Sequence, residues 1–203
     1  AQPAKKDDGR QDAPWDSGSY ERDIAANRAG LGPQSAFLAE FASGRRNYTA
    51  LPVVEMEASI GPVVAVEQSL DTAGIVSLAR VSAVEFSGSG IADVPQMTIR
   101  YTALEGSKGV GEGEDLSLTI LGGPYSSGSG DDRFVVLPFF EMPVVGQRCL
   151  LMLNRTDSGL QIPSPAAVLR LSDDGSVAET RGSRASGASG RSAVALLEAA
   201  RPR

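Results

Sequence analysis

Histidine is absent from the 203 residues. Without it there is no Ser–His–Asp or Cys–His nucleophile pair, no histidine-ligated zinc and no imidazole switch near neutral pH. One cysteine, Cys149, excludes an internal disulfide and any multi-cysteine metal centre. Lysine is confined to Lys5, Lys6 and Lys108, and the formal net charge is −6. A nucleic-acid or anionic-membrane surface needs clustered Lys and Arg, so neither partner is expected. No run of about 18 apolar residues occurs, and no membrane-spanning helix is expected. Aromatic residues make up only 5% of the chain.

What is present is a chain 41% hydrophobic with 23 glycines, a mixture that suits a β-rich domain with flexible ends. The length allows one domain plus tails. Residues 1–34 are polar and charged and are expected to be a disordered extension, with Trp15 and Tyr20 standing out in it. The chain opens Ala-Gln-Pro-Ala; small residues of this kind remain when a signal peptide is cut, so an exported protein is expected. The Ala-, Arg- and Gly-rich, Lys-poor usage looks bacterial. That discounts the two glycosylation sequons at Asn47 and Asn154.

Residues 35–68 read as a short helix and accessory strands. Ser35 is a plausible N-cap; Phe37, Leu38 and Phe41 share a helical face, and Gly44 ends the turn. Leu51–Ala58 and Pro62–Gln68 are Val-rich candidate strands. Residues 69–171 carry the main pattern. Ile75–Phe86 is apolar on both faces, as in a strand that bends and serves two packed neighbours. Gln96–Leu104 alternates cleanly, with Met97, Ile99, Tyr101 and Ala103 on one side, and Asp115–Leu121 does the same. The continuous run Cys149–Leu153 is a buried strand. Phe134–Phe140 reads as a strand or extended segment, and Leu160–Leu171 returns as the closing strand. Gly-rich stretches at 105–114 and 122–132 are expected loops. The fold class expected is all-β, a small closed or partly open barrel, with a β-sandwich as the alternative. Residues 172–203, rich in Ser, Gly, Ala and Arg, read as a flexible linker and a short helix at Ala193–Ala200.

In this order the chain presents Ala73-Gly74-Ile75-Val76-Ser77-Leu78-Ala79-Arg80-Val81, then Leu104-Glu105-Gly106, then Leu116 to Gly123, then Val145 to Leu153 with its Val-Gly-Gln-Arg start. Taken together these segments, from about Leu70 to Leu171, resemble the OB-like barrel domains found in exported bacterial proteins of unassigned function. The resemblance implies an exported, non-catalytic barrel and assigns no site residues. The long N-terminal extension departs from it.

Candidate chemistry is thin. The acidic loop clusters, Asp131-Asp132 and Glu112/Glu114/Asp115, lack EF-hand spacing. Lys108 in a Gly-rich loop is weak support for a Ser–Lys nucleophile, and Gly109, Gly111 and Gly113 do not open a helix as a phosphate cradle does. Cys149 amid leucines reads as a small core hydrophobe. No cofactor is expected. The function expected is a non-catalytic interaction module whose loops and tails bind a partner protein, with self-association one form of it. Candidate contacts are Trp15, Phe37, Phe41, Tyr125, Phe139, Phe140, Leu196 and Leu197. The alternative is a carbohydrate-binding or carboxylate-dependent carbohydrate-acting domain, to be recognised by a cleft holding two acidic side chains near Tyr125 or Phe139.

Overall fold

The computed structural model describes residues 33–58, 61–91, 94–126 and 130–202. The architecture is all-β with small helices. In chain order the elements are α1 (Pro33–Ala42), a 3-10 turn (Tyr48–Ala50), β1 (Val53–Glu55), α2 (Val66–Thr72), β2 (Ile75–Ile91) and β3 (Val94–Lys108). There follow β4 (Asp115–Leu121), β5 (Gly123–Ser126), β6 (Asp132–Val136), β7 (Arg148–Thr156), β8 (Gly159–Gln161) and β9 (Val168–Arg170). The chain ends on α3 (Arg181–Ala185) and α4 (Ala193–Ala199).

Five strands form a hydrogen-bonded ring in the order β2-β3-β4-β8-β7 and back to β2. The ring is antiparallel except where β4 meets β8, at Leu118 beside Leu160. The first half of β2 pairs with both β3 and β7, whereas from Ala83 onward it pairs with β3 alone. Register shifts at Val76/Ser77, Leu78/Ala79 and Val81/Ala83 give the bend this division needs. A second sheet, β1-β6-β5, has β1 lying parallel to β6 at its margin.

β7 explains why two cores exist. Its odd residues Cys149, Leu151 and Leu153 join Ile75, Val81, Met97, Ile99, Tyr101 and Leu118 in the barrel interior. Its even residues Leu150 and Met152 face outward into a second core with Val66, Leu70, Val76, Leu196 and Leu197. A strand covered on both faces must be apolar at every position, hence the unbroken run.

Several expectations need correction. The expected 105–114 loop is strand as far as Lys108, because β3 stays paired with β2 to that residue, and the expected Phe134–Phe140 segment is strand only to Val136, with a turn at 137–140. The Pro62–Gln68 stretch is no strand: from Val66 it is helical, because Val66, Ser69 and Leu70 recur at helical spacing and bury one face. Part of the expected 122–132 loop is strand, as β5 continues from β4 and pairs with β6 through Gly123–Ser126. Residues 172–191 form a packed segment rather than a flexible linker. Val177 bridges Leu171, Ser176 bridges Ser192, and Thr180 caps α3 through a reciprocal bond with Ser183, which is fully buried. Small residues were needed there because the segment lies close against the second core, and composition alone does not separate that from a solvated linker. Trp15 and Tyr20, with the rest of 1–32, lie outside the described residues.

Candidate functional site

β1, the β6–β7 connection and α3 meet around a cleft of about 360 Å³. Val53, Glu55, Phe139, Glu141, Val144 and Arg181 are among the residues that line it. Its centre is a turn. Phe140 N–H donates to the Leu137 carbonyl at 3.0 Å across Pro138 and Phe139, and Phe139 has a φ of 64°. Proline followed by a positive φ marks a type II turn, whose third position ordinarily takes Gly or Asn. A phenylalanine there is strained.

Three contacts hold it. The Phe139 N–H, left unpaired by the turn, donates to Glu55 Oε1 at 3.2 Å. The Arg181 guanidinium lies over the Phe139 ring, 4.4 Å from its centroid, and also pairs with the Glu55 carboxylate. Gly182 lets α3 approach: a Cβ there would sit 2.8 Å from the Phe139 carbonyl oxygen. Residues 55, 139 and 181–182 thus form one constellation drawn from three distant parts of the chain.

One side of the cleft is polar. Glu141 faces Arg170 at 3.6 Å; burial raises its carboxyl above the usual carboxylate range, with Arg170 opposing. Adjoining it is a pocket of about 20 Å³ bordered by Tyr101, Cys149, Glu141, Gln147 and Arg170. It shares Phe140, Glu141, Met142, Gln147 and Arg170 with the cleft. Tyr101 is 1% exposed, and none of the side-chain hydrogen bonds among the described residues involves its hydroxyl. Burial pushes the Cys149 thiol up to about 12, Glu141 adding to the effect and Arg170 opposing it. Burial likewise lifts Tyr101 well above its ordinary value.

Both groups therefore keep their protons in the native state at pH values where the unfolded chain loses them. The thiol's contribution to stability is complete below about pH 9 and is lost as pH rises toward 12, and that of Tyr101 is likewise lost as pH rises. Urea melts at about pH 8 and about pH 10.5 should show falling stability. The fall should shrink in Cys149→Ala, and an unchanged fall in that variant would mean the thiol is not buried as described.

The sequence-derived contact residues distribute unevenly. Phe139 and Phe140 line the cleft, Phe140 from its buried base. Tyr125 is not among the lining residues; it lies on β5 with the Arg133 guanidinium 5.4 Å over its ring. Phe37 and Phe41 stack edge to face on α1, with Arg46 against both, and Phe41 is buried against the chain's own sheets. Leu196 and Leu197 are buried in the second core, which removes them as surface contacts. Trp15 is outside the described residues. Sequence reasoning missed Glu55, Glu141 and Arg181; the one local signal was Leu137-Pro138-Phe139, a turn-favouring proline before a bulky residue.

Val53 and Val144 give the cleft an exposed apolar lining, and Val54 and Val145 are their chain neighbours. Val53 (48% exposed), Val54 (40%), Val144 (38%) and Val145 (55%) are four of the five exposed large hydrophobics among the described residues. Among the described residues β1 also has a free margin. Phe134 N–H donates to Pro52 O and Met56 N–H to Val136 O, both at 2.8 Å, so by alternation the backbone groups of Val53 and Glu55 point away from β6. Among the described residues no group of three or more His, Cys, Asp or Glu side chains is placed to hold a metal, and no helix is long and apolar enough to cross a membrane. No protein-family model, curated protein or solved structure matches this chain.

Proposed function

We propose that this chain is an exported bacterial interaction module, an OB-like barrel that binds a partner protein by taking an extended segment of it along β1 and into the adjoining cleft. The observation that carries the reading is the free margin of β1 beside exposed valines. Unpaired strand N–H and C=O groups accept an added strand, and neighbouring apolar pockets select its side chains. The strained Phe139 turn, fixed by Glu55 and Arg181, gives the cleft a set shape before anything binds. The ring order, five strands with one parallel contact, supports the OB-like description. The net charge of −6 disfavours the oligonucleotides that other barrels of this kind bind.

A photo-crosslinking side chain placed at Val53 or Val144, which line the cleft, in cells of the source organism, tests this. Both positions are expected to capture one segment of one partner, while Ser117, on β4 outside the cleft, captures nothing. The same adducts from all three positions would reject the cleft as the site, and capture of a second copy of this chain would make the partner itself.

A second reading has its own observation: Glu55 and Glu141 both line the cleft beside Phe139, and two acidic side chains in one cleft are the feature by which a carbohydrate-acting domain is to be recognised. Against it, each carboxylate already faces an arginine, and Arg181 covers a face of the Phe139 ring that a sugar would stack on. Oligosaccharide binding abolished by Phe139→Ala would favour it.

A further inference from the structure

The free margin of β1 is short, and its groups are few. Val53 and Glu55 point away from β6, each holding out one N–H and one C=O. Leu51 precedes them, and its N–H is already taken by the Tyr48 carbonyl at 3.0 Å. Such a row matches itself. Two copies of β1 set antiparallel, with Val54 on a twofold axis, place Val53 opposite Glu55 of the second copy and Glu55 opposite its Val53. Each of these pairs exchanges both backbone hydrogen bonds. Val54 meets its own mate between them, as the close pair that exchanges none.

Charge agrees with this pairing. The chain carries a net −6, so two copies repel wherever carboxylates meet without arginines. Here Val53, Val54 and Val144 are 48%, 40% and 38% exposed, and Glu55 is matched by Arg181. Across the axis Glu55 and its mate are diagonal neighbours, about 7–8 Å apart, and each brings its own arginine. Side-chain placement agrees as well. Val53 and Glu55 line the cleft and Val54 does not. Opposed residues share a face, so Val53 of each copy lies on the cleft side of the other and both clefts are engaged at once. A foreign strand would engage one.

We infer that the partner is a second copy of this chain, joined β1 to β1 about a twofold axis at Val54 into one continuous sheet, β5-β6-β1-β1-β6-β5. This rests on the protein-binding reading above and names its partner. The paired strands are only three residues long, which places the interface at the small end of the specific range. Association of about micromolar strength or weaker is expected.

Val54 belongs to neither core, so substitutions there change the pairing and leave the fold intact. Sedimentation equilibrium on the full chain, up to about 1 mM, should show monomer and dimer in exchange. Val54→Lys and Val54→Glu should each weaken the dimer about tenfold or more, since each sets like charges face to face. Mixed one to one, the two variants should associate again, because Lys then meets Glu. Under mild oxidation Val54→Cys should give a disulfide-linked dimer. Val53→Cys should not, because its mate lies on the diagonal, and buried Cys149 stays out of the reaction. A monomer at every concentration, or a dimer that both charged variants leave unchanged, overturns the twofold pairing. A mixture that stays monomeric overturns the register that puts Val54 on the axis. If crosslinkers at Val53 and Val144 then capture one foreign protein, the protein-binding reading stands without the second copy. Adducts shared with Ser117 reject that reading as well.

Discussion

Gly109→Ala is expected to destabilise the protein by about 3 kcal/mol or more, through left-handed strain and overpacking together. Gly109 follows the last residue of β3 and has a φ of +67°; a Cβ there would lie 2.1 Å from the carbonyl oxygen of Gly74. That oxygen belongs to the backbone entering β2, whose Val76 is paired with Lys108. Neither chain can move aside without opening the β2–β3 ladder, which is part of the ring. Gly111, two residues on, provides the comparison. Nothing lies within 4 Å of its Cβ position, and its φ is outside the left-handed range. Gly111→Ala should be neutral or stabilising by up to about 1 kcal/mol, because it narrows the unfolded ensemble. Urea denaturation with a common m-value measures both. If the two alanines behave alike, the close approach of the strands at the barrel mouth is wrong.

The glycines of this loop show how far the residues could be read in advance. That 105–114 is Gly-rich was plain; that Gly109 meets Gly74 depends on the register of the long β2–β3 pair, which sets Val76 opposite Lys108. The strands of the ring were the legible part. Met97, Ile99, Tyr101 and Ala103 alternate and are all buried, and so are Leu116 and Leu118, because a half-covered strand prints its period directly. Val63–Val66 misled because a continuous Val-rich run looks like a buried strand, although Val66, Leu70 and Ala73 already kept helical spacing. The cleft was nearly invisible. Its parts sit at 53–55, 139–147 and 181–182, and each is ordinary alone: a glutamate, a phenylalanine and an arginine. Only folding makes Glu55 the acceptor for the Phe139 N–H and Arg181 the cover of its ring.

Leu197→Ala is expected to be the other severe change, about 2–5 kcal/mol, the range for truncating a buried leucine that leaves a cavity. Composition suggests otherwise, since α4 is seven residues of mostly Ala and Leu after a Ser- and Gly-rich stretch, and a helix this short is marginal alone. Packing decides the matter. Ala193, Leu196 and Leu197 fall at i, i+3 and i+4, are buried at 1%, 2% and 0% exposure, and close the second core over Val66, Leu70, Val76, Leu150 and Met152. Val194, on the opposite face and 47% exposed, should tolerate alanine within about 0.5 kcal/mol. The contrast between these two neighbours separates a docked helix from a frayed end, for which both changes would be near zero. Because β7 sends alternate side chains into each core, the loss should not stay local. Weakening the outer core loosens Leu150 and Met152, and with them the strand that carries Cys149, Leu151 and Leu153 into the barrel. Circular dichroism and Cys149 labelling are therefore expected to report one shared unfolding transition in Leu197→Ala, shifted to lower urea. Two separated transitions would mean that the outer core folds independently of the ring and that β7 does not couple them.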